Sequence, residues 1–278
     1  MIMNDKYNLA GKHALITGAA GLLGGQHARA ILQHGGAVVL TDVDQAGLER
    51  QCDELARQYG QRHVMHFLMD VTNEDSIKHV LKKLKVAGVH ITILINNAAI
   101  DPKVSSKDSL TESSRLENFS IDQWNIELAV GLTGTFLCSK VFGTAMAKSD
   151  MSGVILNIAS DLSVISPDQR LYSKNGLMPD AQPVKPITYS AIKAGITGLT
   201  RYLATYWAES NVRCNSLSPG GVENGQDKDF TNKLVSRIPL GRMAHLDEYQ
   251  AAVQFLTSDA SEYMNGQNIV MDGGRSVW

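Results

Sequence analysis

Residues 13–25 read HALITGAAGLLGG, and this stretch predicts the fold of the chain. Its first five residues are apolar and short enough to form a buried strand. A glycine-rich turn follows, and the segment after it predicts a helix that continues to about His34. A strand that passes through such a turn into a helix is typical of the first unit of an α/β protein.

The glycine-rich turn, residues 18–25, indicates a dinucleotide site. Glycine lets the backbone approach a pyrophosphate closely, and the N-terminus of the next helix offers free N–H groups and the positive end of its dipole. The alternative is a plain tight turn. The position between a strand and a helix favours the binding site.

The second predicted strand, residues 37–41, ends at Asp42. An acidic residue about 20 residues past the glycines accepts hydrogen bonds from the adenosine ribose hydroxyls. The same carboxylate repels a 2′-phosphate, and neither Ala20 nor Val43 supplies a positive charge to compensate. The sequence therefore predicts NAD, rather than NADP, as the cofactor.

The α/β alternation continues along the whole chain and predicts a parallel sheet of about seven strands. Further strands are expected at 63–69, 91–95, 154–158, 211–217 and 268–271. Further helices are expected at 45–60, 73–87, 121–148, 188–210 and 246–258. The 91–95 run is continuously apolar, which is typical of a parallel strand covered on both faces. Because no repeat and no linker interrupts the pattern, residues 1–278 are predicted to be one domain.

Composition limits the classes of function. The chain has 278 residues, 44% of them hydrophobic, and a net charge of −2, which gives no footprint for nucleic acid or an anionic membrane. Cys52, Cys138 and Cys214 are scattered, so we expect reduced core cysteines in a cytosolic protein. No apolar run approaches about 18 residues, so neither a signal peptide nor a membrane span is expected, and the predicted location is cytoplasmic.

The candidate metal ligands are His63 and His66. Three residues apart in a strand, they are expected to point to opposite faces, and no further ligand motif surrounds them. No metal site is predicted.

A second decisive stretch is YSAIK, residues 189–193. Tyr189 and Lys193 lie four apart, so on a helix both side chains leave the same face. A phenol ordinarily loses its proton near pH ~10, and an adjacent ammonium lowers that pKa toward neutrality. The pair predicts a proton-transfer device for an alcohol or carbonyl, with an ordinary helix surface as the alternative. Among the eight tyrosines only Tyr189 has Lys at +4; Tyr172 has Gly176 there.

Ser160 follows the fifth predicted strand. In an open parallel sheet, ligands bind outside the carboxyl ends of the strands, so this residue is expected near the substrate. Its hydroxyl is suited to bind a substrate oxygen that gains negative charge during hydride transfer. A serine that caps a turn is the alternative.

Two polar segments are predicted to face the substrate. Residues 167–186 form a long proline-rich insert, and such a loop in a compact domain is typically functional. We expect it to cover the substrate and to bind it through Arg170 or Lys174. Residues 220–245 are expected to form a lid with side chains that face a hydroxylated substrate, namely Asn224, Gln226 and Arg237. An ordinary surface helix and loop is the alternative for this second segment.

Over nearly its whole length the chain resembles the short-chain dehydrogenase/reductases. The resemblance is carried, in order, by Thr17-Gly18 through Gly24, Asp70-Val71, Asn96-Asn97-Ala98-Ala99, Asn157-Ile158-Ala159-Ser160, residues 189–193 and Pro219-Gly220. It implies a single-domain Rossmann fold, with a doubly wound parallel sheet and helices on both faces. It also implies a dimer or tetramer that transfers a hydride between nicotinamide and an alcohol or carbonyl.

The resemblance also implies roles for individual residues. Tyr189 would be the catalytic acid/base, Lys193 would lower its pKa and hold the nicotinamide ribose, and Ser160 would orient the substrate oxygen. Asp70 would contact adenine, Asn97 the adjoining ribose region, and Val222 the carboxamide. The implied cofactor-binding set is Gly18, Gly21, Leu23, Gly24, Asp42, Asp70, Val71, Asn97, Ala98, Tyr189, Lys193 and Val222.

Three departures from the family pattern stand out. Leu22 replaces the middle loop glycine, Gly131 replaces a helix asparagine, and the interval between Ser160 and Tyr189 is longer than usual. That interval and residues 219–226 resemble a branch linked to bacterial surface-glycan and flagellin-modification sugars. The family asparagine binds a water of a proton relay, and we expect a second water to occupy the space that Gly131 leaves.

The main prediction is an NAD-dependent oxidoreductase that acts on a secondary alcohol or ketone of a polar, sugar-like small molecule. Two alternatives remain open from the sequence. One is a lyase or epimerase that uses bound NAD transiently on a sugar or sugar nucleotide. The other is a catalytically impaired dinucleotide-binding homologue, which Gly131 favours and the Ser160, Tyr189 and Lys193 set disfavours.

Overall fold

The computed structural model describes residues 6–100 and 112–278, which fold around a seven-stranded parallel sheet. The strands are β1 (His13–Thr17), β2 (Ala37–Asp42), β3 (Val64–Leu68), β4 (Ile93–Asn96), β5 (Gly153–Ile158), β6 (Val212–Pro219) and β7 (Asn268–Met271). Their order is β3-β2-β1-β4-β5-β6-β7, and every pairing is parallel. The chain reverses direction across the sheet between β1 and β4, where such folds bind ligands. The predicted doubly wound Rossmann fold is confirmed.

Seven α-helical segments connect or flank the strands within the described residues. They are α1 (Gly24–Leu32), α2 (Gln45–Tyr59), α3 (Glu74–Val86), α4 (Ile121–Ala147), α5 (Ile187–Tyr206), α6 (Lys228–Val235) and α7 (Gln250–Thr257). The helix expected to reach Ser210 ends at Tyr206, because the chain tightens into a 3-10 turn before Asn211. Asn211 adopts a left-handed backbone (φ 54°), which reverses the chain into β6.

The sheet is buried between two helical layers because successive strand residues point to opposite faces. On one face Ile16 and Leu40 pack with the apolar sides of α1, α2 and α7. On the other face Leu15 and Val39 pack with α3, α4 and α5. The predicted burial of the three cysteines is confirmed, and each is a free thiol, namely Cys52, Cys138 and Cys214.

The long helix α4 crosses the second face and is irregular. It contains two π-helical turns, Ala129–Thr133 and Ser139–Gly143, a feature often found at functional sites. By length and mean hydropathy (1.3) α4 would suffice to cross a membrane, a test that the core helix of a soluble protein also passes. Here Cys138 and Phe142 are in the core with the sheet.

Candidate active site

A cavity of about 1250 Å³ opens along the carboxyl edge of the sheet. Its wall extends from Asp42, the last residue of β2, to Arg275, after β7. Every residue assigned to the cofactor or to catalysis from the sequence lines this cavity, except Gly24. Parallel strands end at one edge, so loops distant in sequence meet there.

The glycine loop has two positions that admit only glycine. Gly18 has φ +63°, and a Cβ there would lie 2.7 Å from the Cα of Ala98. A Cβ on Gly24 would lie 2.5 Å from the carbonyl oxygen of Gly18, so Gly24 closes the turn from behind the cavity. Leu22, at the place of the family's middle glycine, is 44% exposed, so its side chain is accommodated outside the turn.

Asp42 is fixed by backbone amides. Its carboxylate accepts hydrogen bonds from the N–H groups of Ala20 (3.0 Å), Val43 (2.7 Å) and Asp44 (3.0 Å). The bond to Ala20 ties the end of β2 to the glycine loop. On the described part of the wall, this end of the cavity carries only acidic charge, from Asp42, Asp44 and Asp70.

Asn97, directly after β4, holds the glycine loop in place. Its side-chain amide donates to the carbonyl oxygens of Thr17 and Gly18, both at 3.0 Å. The buried Thr17 hydroxyl in turn accepts the N–H groups of Asn97 and Ala98, both at 3.0 Å. The Asn97 side chain expected to contact ribose thus holds the loop in shape. Thr17 also holds the loop in shape, and its position directly before Gly18 in the sequence indicates this role.

The remaining cofactor-side residues line the cavity at its two flanks. Asp70 is exposed and accepts hydrogen bonds from Thr72, and the neighbouring Val71 is buried. Val222 forms an isolated bridge to Ala244, and its carbonyl accepts the side-chain amide of Gln226 at 2.7 Å.

Tyr189, Lys193 and Ser160 all line the cavity. Tyr189 and Lys193 lie one turn apart on α5, and the Lys193 ammonium lies 5.7 Å from the Tyr189 ring centroid. Lys193 is buried and donates to the carbonyl of Ile158 at the end of β5, at 2.9 Å. Ser160 follows Ile158 by two residues, so the end of β5 both holds the Lys193 ammonium and carries Ser160 into the cavity.

Ser160 is held by a buried ion pair that the sequence did not indicate. Its hydroxyl donates to Asp161 Oδ1 at 2.8 Å, and the other carboxylate oxygen of Asp161 accepts from Arg275 at 2.6 Å. The side chains of Asp161 and Arg275 are only 5% and 10% exposed. Asp161 directly follows Ser160, so the sequence alone could have suggested it as a partner of the serine hydroxyl. Arg275 lies 114 residues away, and only the fold brings it close.

The insert and the lid region pack on each other. Leu171 is buried with Leu234, Ile238 and Met243, and the Tyr172 and Phe230 rings lie 5.5 Å apart between centroids. The insert therefore has a defined structure with short 3-10 turns, Gln169–Tyr172 and Pro179–Ala181.

The side chains expected to face the substrate divide into two groups. Lys174, Asn224 and Gln226 line the cavity. Arg170 and Arg237 do not, because both bind Asp168, at 2.8 and 3.1 Å. The hydrogen bond from Arg170 holds the pKa of Asp168 at about 2.

Lys185 is a site residue that sequence reasoning missed. It lines the cavity, and its ammonium lies 3.8 Å from the Tyr189 ring centroid, closer than that of Lys193. Lysines thus occur four residues before and four residues after the tyrosine. This symmetric spacing about Tyr189 is the feature of the sequence that could have indicated Lys185 as a site residue.

Gly131 packs directly against a side chain of α5. A Cβ on Gly131 would lie 2.8 Å from Cγ2 of Ile192, so this buried side chain leaves no space for a larger residue without moving. Gly131 is therefore a packing requirement of the contact between α4 and α5. That a water takes the place of the family's amide stays a prediction.

His27 lies in the first turn of α1, directly behind the glycine loop. It is fully buried, and within the described part of the chain neither ring nitrogen has a hydrogen-bond partner. Burial lowers its pKa to about 4, which the neighbouring Asn97 side chain only partly offsets. The imidazole is therefore neutral at physiological pH.

Over residues 6–100 and 112–278, no group of three or more His, Cys, Asp or Glu side chains is placed to hold a metal ion.

The chain is similar to known proteins over nearly its whole length. A family model described as enoyl-(acyl carrier protein) reductase matches residues 18–276. D-threitol dehydrogenase of Mycolicibacterium smegmatis is 31% identical over 278 residues, which cover 98% of this chain and 95% of that protein.

Two solved structures share the fold throughout. A short chain dehydrogenase from Leptospira borgpetersenii with bound NAD⁺ superposes with a TM-score of 0.83 at 30% identity, covering 100% of this chain and 96% of that one. A gluconate 5-dehydrogenase from Burkholderia cenocepacia in complex with NADP and tartrate gives 0.80 at 28% identity, covering 99% of each.

Proposed function

The chain belongs to the short-chain dehydrogenase/reductase family, and from that premise we propose that it is an NAD-dependent dehydrogenase of polar secondary alcohols. The observation that carries the proposal is that Tyr189, Lys193 and Ser160 line the same cavity as the glycine loop.

The described residues fit a nicotinamide dinucleotide. Gly18 and Gly24 stand where a Cβ would collide with backbone, and the loop between them leads into the N-terminus of α1. This is a cradle suited to a pyrophosphate. When bound, the cofactor supplies the hydride acceptor that the chain itself lacks.

The residues of the chain have separate tasks in this proposal. Tyr189 takes the proton of the substrate hydroxyl, and the nearby Lys193 ammonium favours the phenolate that does so. Lys193 is held by the carbonyl of Ile158, which fixes the distance between the two groups. Ser160 positions the substrate oxygen, and its own orientation is set by Asp161.

NAD is proposed over NADP because of the acidic end of the cavity. Asp42 is anchored by three amides and is placed to meet the adenosine ribose, where a 2′-phosphate would be repelled. On the described wall the basic side chains are Lys174, Lys185, Lys193 and Arg275, which lie on the substrate side. Structures of relatives contain NAD⁺ in one case and NADP in another, so the preference rests on Asp42.

We also propose that the chain forms a homo-oligomer. Helices α4 and α5 expose Ile126, Phe136, Tyr202 and Tyr206 on the side away from the sheet. The two tyrosine rings stack with centroids 5.7 Å apart. Apolar side chains exposed together in this way suit a second copy, and light scattering of Tyr202→Asp should then report a smaller assembly than wild type.

Steady-state turnover tests the main proposal. Purified protein is assayed for NADH formation with threitol, glycerol, glucitol and gluconate, each with NAD⁺ and with NADP⁺. We expect NADH formation from at least one free alcohol. A protein that binds NADH but oxidises no alcohol and reduces no ketone would instead be the impaired homologue. A substrate converted without net NADH formation would indicate the lyase or epimerase.

A further inference from the structure

The proton of the Ser160 hydroxyl is already used within the chain. The hydroxyl donates to Asp161 Oδ1 at 2.8 Å, and its oxygen accepts the N–H of Leu162 at 3.2 Å. As a carboxylate paired with Arg275, Asp161 has no proton to give, so the serine is the donor. A hydroxyl has one proton and two lone pairs. Within the described residues no further group binds this side chain, so Ser160 offers a ligand one lone pair and no proton.

A substrate does not readily take this proton away from Asp161. Ser160 and Asp161 are both buried. A hydroxyl that donates to a carboxylate forms a bond roughly twice as strong as one between neutral groups, and a buried site strengthens it further. If the serine turned its proton toward a substrate oxygen, Asp161 Oδ1 would keep only the N–H of Leu162, at 2.8 Å. The serine is therefore held as a hydrogen-bond acceptor.

Arg275 is held in place by the turn after β7. The Asp272 carboxylate accepts the N–H groups of Gly274 at 2.9 Å and of Ser276 at 2.8 Å. Gly274 has φ +89°, a backbone conformation that favours glycine. Because the backbone is fixed on both sides of Arg275, its guanidinium is presented to Asp161, at 2.6 Å. The direction of the Ser160 hydroxyl is thus set by the fold.

Short contacts connect Ser160 to the acid/base. Ser160 and Tyr189 line the same cavity. The Lys193 ammonium lies 5.7 Å from the Tyr189 ring centroid and donates to the carbonyl of Ile158, two residues before Ser160. The serine and the tyrosine are thereby linked through the end of β5, as is required of two groups that act on one small substrate.

From this arrangement we propose that the Asp161–Arg275 pair makes Ser160 an acceptor for the substrate, and that the chain selects alcohols with a second hydroxyl beside the reacting one. During oxidation the proton of the reacting hydroxyl goes to Tyr189, so that hydroxyl has none left for Ser160. A hydroxyl on the adjacent carbon supplies the missing donor. The substrate class is therefore a vicinal diol, as found in polyols and sugars. The proposal rests on the proposed dehydrogenase function.

Alcohols that differ at one carbon test this inference with NAD⁺ and the full chain. The set is 1,2-propanediol, 2-propanol and 1-fluoro-2-propanol, whose fluorine is close to a hydroxyl in size but donates no hydrogen bond. We expect kcat/KM to be at least about tenfold higher for the diol than for either other alcohol, because a site built to bind a hydroxyl rejects an analogue that lacks it. Equal values for the diol and the fluoro alcohol would overturn the inference.

The position of the second hydroxyl is tested separately. In 1,3-butanediol this hydroxyl lies one carbon further from the reacting one, and its matched partner without it is 2-butanol. We expect kcat/KM of these two alcohols to agree within about threefold, less than one full hydrogen bond contributes. A preference for 1,3-butanediol as large as that for 1,2-propanediol would refute the selection of adjacent hydroxyls.

Two double variants assign the preference to the serine proton. Asp161→Asn with Arg275→Met removes both charges but keeps a side-chain oxygen, which the N–H of Leu162 holds at the Oδ1 position. The diol preference should persist in this matched control. Asp161→Leu with Arg275→Met also removes that oxygen, so Ser160 regains its proton and the preference should disappear. Urea unfolding verifies that both variants fold. The same diol preference in both double variants would overturn the inference.

Binding without turnover separates this inference from the proposed function. NMR titration of the NAD⁺-loaded protein compares hydroxyacetone with acetone, which has no proton to donate. Hydroxyacetone should bind at least about threefold more tightly, and Ser160→Ala should remove the difference. Turnover of alcohols without any diol preference leaves the dehydrogenase intact and refutes the role of Ser160. Tighter hydroxyacetone binding through Ser160, with no alcohol oxidised, supports the site and refutes the dehydrogenase.

Discussion

The two ends of the cavity are built by different means. The cofactor end depends on backbone groups: two obligatory glycines, loop carbonyls that the Asn97 side chain binds, and three N–H groups that hold the Asp42 carboxylate. The substrate end is made of side chains from distant segments, with Lys185 from the insert and Arg275 from the C-terminal region around Tyr189 and Ser160. Because the cofactor end depends on backbone geometry, its construction does not constrain the side chains at the substrate end.

The largest expected effect separates the two ends directly. Tyr189→Phe should lower turnover by ~10²–10⁴-fold, the usual contribution of general acid–base catalysis. NADH affinity should stay within a factor of about two to three, because the glycine loop and Asp42 are untouched. Stopped-flow turnover and a fluorescence titration measure the two quantities. Lost NADH binding would show that the ends are not independent.

The next effect concerns the ion pair under Ser160. Arg275→Met leaves the Asp161 carboxylate buried without its partner, which should lower the free energy of unfolding by about 3 kcal/mol. Urea unfolding measures this. Adding Asp161→Asn removes the uncompensated charge and should recover most of the stability. An Arg275→Met variant as stable as wild type would contradict the burial of the Asp161–Arg275 ion pair.

His27 makes the cofactor end sensitive to acid. Its folded-state pKa of about 4 lies below the ordinary value of 6.5, so protonation favours the unfolded chain. The free energy of unfolding should have its full value above pH 6.5 and should fall by about 3 kcal/mol as the pH drops from 6.5 to 4. Urea unfolding across this range measures it. His27→Leu should flatten that dependence, whereas exposed His66→Gln should not.

Gly131 tests the packing that supports the substrate end. Gly131→Asn introduces a side chain where Ile192 lies, and such overpacking should cost about 1–3 kcal/mol of stability and displace Lys193. Gly131→Asn combined with Ile192→Ala makes room for the amide and should restore turnover, although the lost Ile192 packing keeps the stability below that of wild type. Thermal unfolding and kcat of the three proteins test this. A stable, fully active Gly131→Asn variant would show that the Ile192 side chain moves aside at little cost in free energy.

The smallest effect concerns cofactor choice. NAD(H) should bind at least tenfold more tightly than NADP(H), a difference of ~1.4 kcal/mol. Asp42→Ala should narrow that ratio by weakening NADH binding and removing repulsion, with KM for the alcohol unchanged. Fluorescence titration with both nucleotides is the measurement. Equal affinities in wild type would contradict the proposed role of the acidic end.

Sequence by itself determined the sheet, the glycine turn and the Tyr189–Lys193 pair. These depend on short-range rules: apolar runs predict strands, glycine permits close backbone approach, and residues four apart share a helix face. The rule that parallel strands expose their ligands at the carboxyl edge then predicted that Ser160 lies near the substrate. Element ends shifted by a few residues, as at Tyr206, because turn geometry decides them.

Only the tertiary structure decided what surrounds the tyrosine. Arg275 meets Asp161 across 114 residues, and Ile192 fills the space beside Gly131 from another helix. Lys185 stands before α5 begins, so its spacing from Tyr189 alone did not fix its position over the ring. Such contacts depend on how α4, α5 and the insert pack on each other. Packing is set by the shapes of many side chains together, and no local pattern encodes it.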